Sequence, residues 1–114
     1  MSNLITIKHK IKNYNKSISV SGDKSLSIRW VLFSSIVKGK SKAFNLLLSE
    51  DVMAAINAVK KLGTKVKFDK NYCTIIGNGL DGYKYKKNIT INSQNSGTLG
   101  RLIMGLLIDT PHKI

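Results

Sequence analysis

The first twenty residues alternate short β-branched runs with polar positions. Leu4-Ile5-Thr6-Ile7 and Ser17-Ile18-Ser19-Val20 predict two strands, and Asn13-Tyr14-Asn15 between them has turn chemistry. From Leu26 the period lengthens. Leu26, Trp30, Phe33 and Val37 recur at helical spacing, and Gly39 stands where a helix C-terminus favours glycine. Ala43 to Leu48 predicts a short strand. Ser49-Glu50-Asp51 then opens a second helix, with a hydroxyl cap and two acids on the positive end of the helix dipole. Val52, Ile56, Val59 and Leu62 are its buried stripe, and Lys60, Lys61 and Gly63 close it.

Lys65-Val66-Lys67-Phe68 and Tyr72-Cys73-Thr74-Ile75-Ile76 predict a hairpin across Asp69-Lys70-Asn71, followed by the loop GNGLDG. Asn88-Ile89-Thr90-Ile91 is a further strand, and a third helix begins near Asn95 and runs through Leu102, Ile103, Leu106 and Leu107. The expected fold class is α/β (α+β), in the order β-α-β-α-β-β with a further strand and helix. The third helix is apolar and the chain offers few partners for it. The expectation is therefore a piece of a larger unit that self-associates through that helix.

A length of 114 residues and 42% hydrophobic content give enough apolar material for a packed core. The formal charge of +13 favours anionic partners. Seventeen of the basic residues are lysines, spread from Lys8 to Lys113 with no run longer than two. Without clustered arginine or stacking aromatics, this spread predicts a solvated surface and no nucleic-acid partner. Cys73, alone in a strand-like run, is expected to be a small buried hydrophobe. His9 and His112 lack ligand-spaced partners and are expected on surface or loop. The N-terminus has no continuous apolar segment of a signal peptide, and no apolar run approaches the ~18 residues of a membrane span, so the expected setting is soluble and cytoplasmic.

The two arginines are the informative cations. Arg29 and Arg101 each follow a β-branched run, a small polar segment and a helix start, and each lies about one turn inside the helix. Ser25 and Arg29 are four apart, as are Gly97 and Arg101, while Thr98 is three before Arg101; such pairs share a helix face. A helix N-terminus offers free N–H groups and positive potential, and an arginine one turn on adds a bidentate fork for carboxylate or phosphate. Gly97 permits an approach to backbone that a Cβ obstructs. The alternative is ordinary helix caps with arginines in surface ion pairs. The segment GDKS resembles the end of a P-loop, but the pattern G-x-x-x-x-G-K-S/T fails, because Asp23 separates Gly22 from Lys24 and the first glycine is missing.

Four segments carry a family resemblance. SGDKSLSIR (Ser21 to Arg29) resembles the Pro/Ser-Gly-Asp/Ser-Lys-Ser-x-Ser/Thr-x-Arg segment of the EPSP synthase family, the 3-phosphoshikimate 1-carboxyvinyltransferases. NSGTLGR (Asn95 to Arg101) resembles that family's Asn-Ala/Ser-Gly-Thr-x-x-Arg segment. FNLLLSEDVMAAINAVKKLG and CTIIGNG are similar to the stretch and hairpin between them, in the same order. The resemblance implies a repeat unit of the enolpyruvyl transferase type, incomplete here. Residues 1–20 would belong to the other domain of the full enzyme, and residues 21–114 to the first repeat unit and the start of the second in the substrate-binding domain.

The resemblance also implies the chemistry: the enolpyruvyl group of phosphoenolpyruvate goes to the 5-hydroxyl of shikimate 3-phosphate, phosphate leaves, and neither an organic cofactor nor a metal takes part. Lys24, Ser25 and Arg29 would bind shikimate 3-phosphate, Arg29 taking the ring carboxylate. Lys24, Asn95 and Gly97 would line the phosphoenolpyruvate site, with Thr98 and Arg101 supporting the loop, and glyphosate in that subsite would press on Gly97. The family's acid/base residues find no match in this chain, so it is expected to be inactive alone. Two positions depart from the family: Gln94 replaces a common glycine, and Gly100 replaces a larger residue at a cost of up to ~1 kcal/mol in helix propensity. The sister transferase acting on UDP-N-acetylglucosamine typically has Lys-Asn at the position of Lys24-Ser25 and lacks the second motif, so it ranks below. A small basic nucleic-acid-binding module is the alternative from another class.

Overall fold

The computed structural model describes residues 4–111 and 114; the expectation for His112 lies outside them. Six elements follow in the order α1 (Lys24–Ile36), β1 (Lys38–Phe44), α2 (Glu50–Lys61), β2 (Lys65–Phe68), β3 (Tyr72–Asn78) and α3 (Gly97–Leu106). The strands form one antiparallel sheet in the order β1-β3-β2. The helices cover one face of it: α1 packs on α2, α3 and β3, and α2 on α3 and β2.

The α2 stripe lies as its periodicity predicts, with Val52, Ile56, Val59 and Leu62 all fully buried. They meet Ile28, Val31 and Leu32 of α1, Cys73 and Ile75 of β3, and Leu99 and Ile103 of α3 in a single core. Each fully buried aliphatic side chain contributes about 1.5–3 kcal/mol of transfer free energy. The α1 stripe is a correction. Leu26 and Phe33 are more than 60% exposed and Val37 is also exposed, while Ser27, Ile28, Val31, Leu32, Ser34 and Ser35 face the core. This helix is apolar on two faces, and tertiary packing chose the one with small serines. Near its end the helix backbone lies against β3 so closely that a Cβ on Gly77 would fall on the carbonyl oxygens of Ser34 and Val37.

Three expected strands do not form. Residues 4–20 are exposed and without strand pairing, and residues 88–91 are likewise unpaired. A strand exists by its ladder, and β-branched content without a neighbouring edge is only a propensity. Ile89 and Ile91 still pack against the core, held by a 2.8 Å hydrogen bond from Lys61 Nζ to the Thr90 carbonyl. The radius of gyration of 18.8 Å, against about 13 Å for a compact domain of this length, reflects the segment before α1 standing off the core. The strand expected over Ala43 to Leu48 begins earlier, at Lys38. Gly39 is thus a strand residue at φ 115°, not the residue after a helix. Lys38-Gly39-Lys40-Ser41-Lys42 reads as loop because its inward positions are Gly and Ser and its outward ones are Lys.

Candidate functional site

The helix starts that the sequence singles out are both real. Asp23 caps α1: its carboxylate accepts the Leu26 N–H at 2.7 Å. Lys24 is the first helical residue, Ser25 is half-buried, and Arg29 is exposed. Serine caps α3, with Ser96 Oγ accepting the Leu99 N–H at 3.2 Å. Asn95 is exposed just before this cap, Gly97 is the first helical residue, Thr98 is half-buried and Arg101 is exposed. A Cβ at Gly97 would meet no atom within 4 Å, so its backbone faces open space. Among the described residues, the ion pair found is between Lys24 and Asp51. Neither guanidinium lies within that reach of a carboxylate, so the surface ion pairs of the alternative reading are absent there.

The fold adds a third helix start. Gly22 packs on the backbone of Asn45 and Leu47, where a Cβ would stand 2.8 Å from the Leu47 nitrogen. Ser27 Oγ accepts the Leu47 N–H at 3.1 Å, and Asn45 Nδ2 donates to the Val20 carbonyl at 2.9 Å. These contacts hold the segment leading into α2 against the start of α1. Lys24 Nζ consequently reaches Asp51 Oδ2 at 3.1 Å. Ser49, the residue before α2, makes no side-chain cap bond, and its buried Oγ has no partner. Sequence reasoning assigned Glu50 and Asp51 to the dipole of their own helix and missed the pairing with Lys24. A pairing across 27 residues has no local signal.

The loop before α3 carries a strained residue. Gln94 has φ 50°, and its N–H is held by Asn92 Oδ1 at 2.8 Å. Asn45 and Asn88 share this left-handed conformation, which asparagine tolerates and a longer side chain tolerates less. A glycine at this position would adopt the same backbone angle without strain. A Cβ at Gly100 would find Ser93 Oγ at 3.5 Å, an ordinary contact, so no steric demand for glycine exists there. A groove of about 790 Å³ beside α3, lined by Ser93, Gly100, Ile103 and Met104 among others, does not include either arginine.

Cys73 is buried and burial pushes its thiol up from the ordinary value. Tyr83, also raised by burial, shares a 2.6 Å hydrogen bond with Ser35, which itself donates to the Leu32 carbonyl. These groups serve the core and not the helix starts. No group of His, Cys, Asp and Glu able to hold a metal occurs among the described residues. No helix among them is long and apolar enough to cross a membrane.

A three-stranded antiparallel sheet covered on one face by helices, two of them starting with an exposed arginine one turn along, makes this an α/β unit. The model of the family described as EPSP synthase (3-phosphoshikimate 1-carboxyvinyltransferase) matches residues 8–113, and the chain belongs to that family. It is 41% identical over 100 residues to the 3-phosphoshikimate 1-carboxyvinyltransferase of Bacillus cytotoxicus, covering 88% of this chain and 23% of that protein. With the Leuconostoc mesenteroides enzyme it shares 39% identity over 94 residues, covering 82% of this chain and 21% of the other. The solved EPSP synthase of Acinetobacter baumannii superposes with a TM-score of 0.72 at 33% identity, over 79% of this chain and 20% of that one. The chain thus spans less than a quarter of the length of these relatives.

Proposed function

We propose that this chain supplies part of the substrate-binding machinery for transfer of the enolpyruvyl group from phosphoenolpyruvate to the 5-hydroxyl of shikimate 3-phosphate. In that reaction a C–O bond forms at the 5-oxygen, and the C–O bond to phosphate breaks to release inorganic phosphate. The observation that carries the reading is that both family motifs in this chain fold as helix starts with exposed arginines one turn along. Each start carries the positive potential of a helix N-terminus, the environment a dianionic phosphate or a carboxylate prefers.

Arg29 takes the shikimate carboxylate as a bidentate pair, with Ser25 hydrogen-bonding on the same helix face. Lys24, kept near by Asp51, lies between the two anionic substrates and offsets the charge of phosphoenolpyruvate. Asn95 and the open backbone of Gly97 line the phosphoenolpyruvate subsite, where glyphosate would also lie. Thr98 and Arg101 hold that loop. Proton transfer in this scheme falls to groups outside these 114 residues, so this chain alone does not catalyse. In the assembled enzyme, residues 1–20 belong to one domain and 21–114 to the other. The lack of core contact from residues 4–20 supports that division. Exposed Met104 and Ile108 near the end of α3 support self-association of the isolated chain, which a monomeric mass by light scattering at high concentration would overturn.

The test is an NMR titration of the chain with shikimate 3-phosphate. The amides of Lys24 to Arg29 should shift, and Arg29→Lys should weaken the effect selectively because the fork is lost. Unshifted α1 amides, or equal binding by Arg29→Lys, would sink the assignment. Phosphate release above background with both substrates supplied would overturn the claim that the chain is inactive alone.

A further inference from the structure

The register of the sheet gathers on one face what the sequence scatters. Successive side chains of a strand point to opposite faces. Cys73 and Ile75 of β3 are buried under the helices, so Tyr72, Thr74 and Ile76 belong to the opposite face. On one side of them the β1 partners are Phe44, Lys42 and Lys40, with Lys38 continuing the row opposite Asn78. On the other side Lys67 pairs with Thr74 and Lys65 with Ile76. Five lysines therefore stand in two rows, one on each edge strand, roughly 10 Å apart across β3. Thr74, directly between Lys42 and Lys67, is only 8% exposed, as expected where two long aliphatic stems close over a small side chain.

An aromatic pair ends this strip. Phe44 and Tyr72 pack with ring centroids 5.7 Å apart and planes tilted by 57°. Lys42 Nζ lies 4.2 Å from the Tyr72 centroid, and Phe44 stays 68% exposed. Of the six acids, Asp69 stands in the hairpin turn at the Tyr72 end. Its carboxyl is held below the ordinary range by the Lys70 N–H and the Tyr72 hydroxyl, with Lys67 and Lys42 nearby. Asp81 shares a shallow cavity with Lys38 at the other end. Asp23, Glu50 and Asp51 sit at helix starts, and Asp109 follows α3. Lysine on edge strands also guards against edge pairing, which accounts for the two rows but not for a large ring left in water beside them.

We propose that this face of the sheet binds single-stranded nucleic acid, the lysine rows following the phosphates and a base stacking on Phe44. The expectation of no nucleic-acid partner rested on the spread of lysines and on the lack of clustered arginine and stacking aromatics. Pairing of β1, β2 and β3 undoes the spread and brings Phe44 and Tyr72 beside the lysines, while arginine stays absent from this face. The chemistry required is cation rows plus an exposed aromatic platform, which suits an unpaired strand and not a duplex whose bases are covered. This surface is the face of the sheet opposite the one the helices cover.

The test is fluorescence anisotropy of a labelled oligothymidylate of about 12 nucleotides with the whole chain. Neutralisation of five phosphates by five lysines predicts log K falling with log salt at a slope of about −3.5. The combined Lys40→Gln, Lys42→Gln, Lys65→Gln and Lys67→Gln variant should bind at least tenfold more weakly, with a slope near −1. The combined Lys8→Gln, Lys10→Gln, Lys12→Gln and Lys16→Gln variant loses the same charge and should stay within threefold. Phe44→Leu should lose about tenfold with the slope unchanged. Should the sheet variant misfold, amide shifts of the unaltered chain decide: they must fall on Lys40 to Phe44, Lys65 to Lys67 and Tyr72 to Ile76. Equal loss in both lysine variants, shifts elsewhere, absence of binding, or binding to phosphatidylserine vesicles in place of the oligonucleotide would overturn the proposal.

Discussion

Lys24, the first residue of α1, and Asp51, in the first turn of α2, form an ion pair at 3.1 Å between two helices whose starts are side by side. The carboxylate is mostly buried and the ammonium half-exposed, at 20% and 53% accessibility, so Asp51 is the fixed partner and Lys24 the adjustable one. Asp51 also sits on the positive end of its own dipole. Asp51→Asn should therefore cost about 1 kcal/mol, part ion pair and part dipole, read as a lower urea midpoint with unchanged slope. In a full-length enzyme carrying this segment it should raise KM for the anionic substrates. An unchanged midpoint and KM would show that the pair does nothing.

Gly22 is the position where shape is least negotiable at the site. A Cβ there would fall on the Asn45 carbonyl oxygen and crowd the Leu47 nitrogen, both backbone atoms. Gly22→Ala should destabilise the chain by roughly 1–3 kcal/mol and separate the starts of α1 and α2. Thermal melting monitored by circular dichroism measures the first effect, and loss of the Lys24 to Asp51 contact in NMR the second.

Reverting the two departures from the family should stabilise the chain in both cases. Gln94→Gly should stabilise by about 1 kcal/mol, because the left-handed φ of 50° no longer carries a side chain. Gly100→Ala should stabilise by up to ~1 kcal/mol, since the helix gains propensity and the new methyl only touches Ser93. Denaturant midpoints of the two single variants and the double test both, and a decrease in either would refute the corresponding geometry.

Alkaline pH should reveal Tyr83. Burial raises its pKa above the ordinary 10.0, opposed by the bond to Ser35, so the folded chain favours the neutral phenol. This contribution is fully present below the unfolded value and is lost as pH climbs through the folded one. The chain should lose stability as pH rises above the ordinary tyrosine value of 10.0, and Tyr83→Phe should lose less over the same rise. At neutral pH the variant should be weaker by about 1 kcal/mol, the worth of one hydrogen bond. Parallel stability curves for the two proteins would count against this account.

Much of the site was legible because its signals are local. A cap, a helix start and an arginine one turn later all lie within ten residues, and the Val52 to Leu62 stripe follows from period alone. The pairing of Lys24 with Asp51 was not legible, since no short-range pattern links a cation at one helix start to an acid at another. The strain at Gln94 was visible only as an unusual residue before the asparagine; its cause is a backbone angle.

The sequence by itself determined the family, the three helices, the hairpin and the two arginine-bearing helix starts, because capping, periodicity and motif spacing act over a few bonds. Tertiary structure alone decided which face of α1 is buried, that Lys38 to Phe44 is a strand, and that residues 4–20 and 88–91 are not. It also decided that five lysines and two aromatics share one face of the sheet. Each of these depends on a partner distant along the chain. A strand needs an edge to pair with, and a helix apolar on two sides needs a neighbour to choose between them.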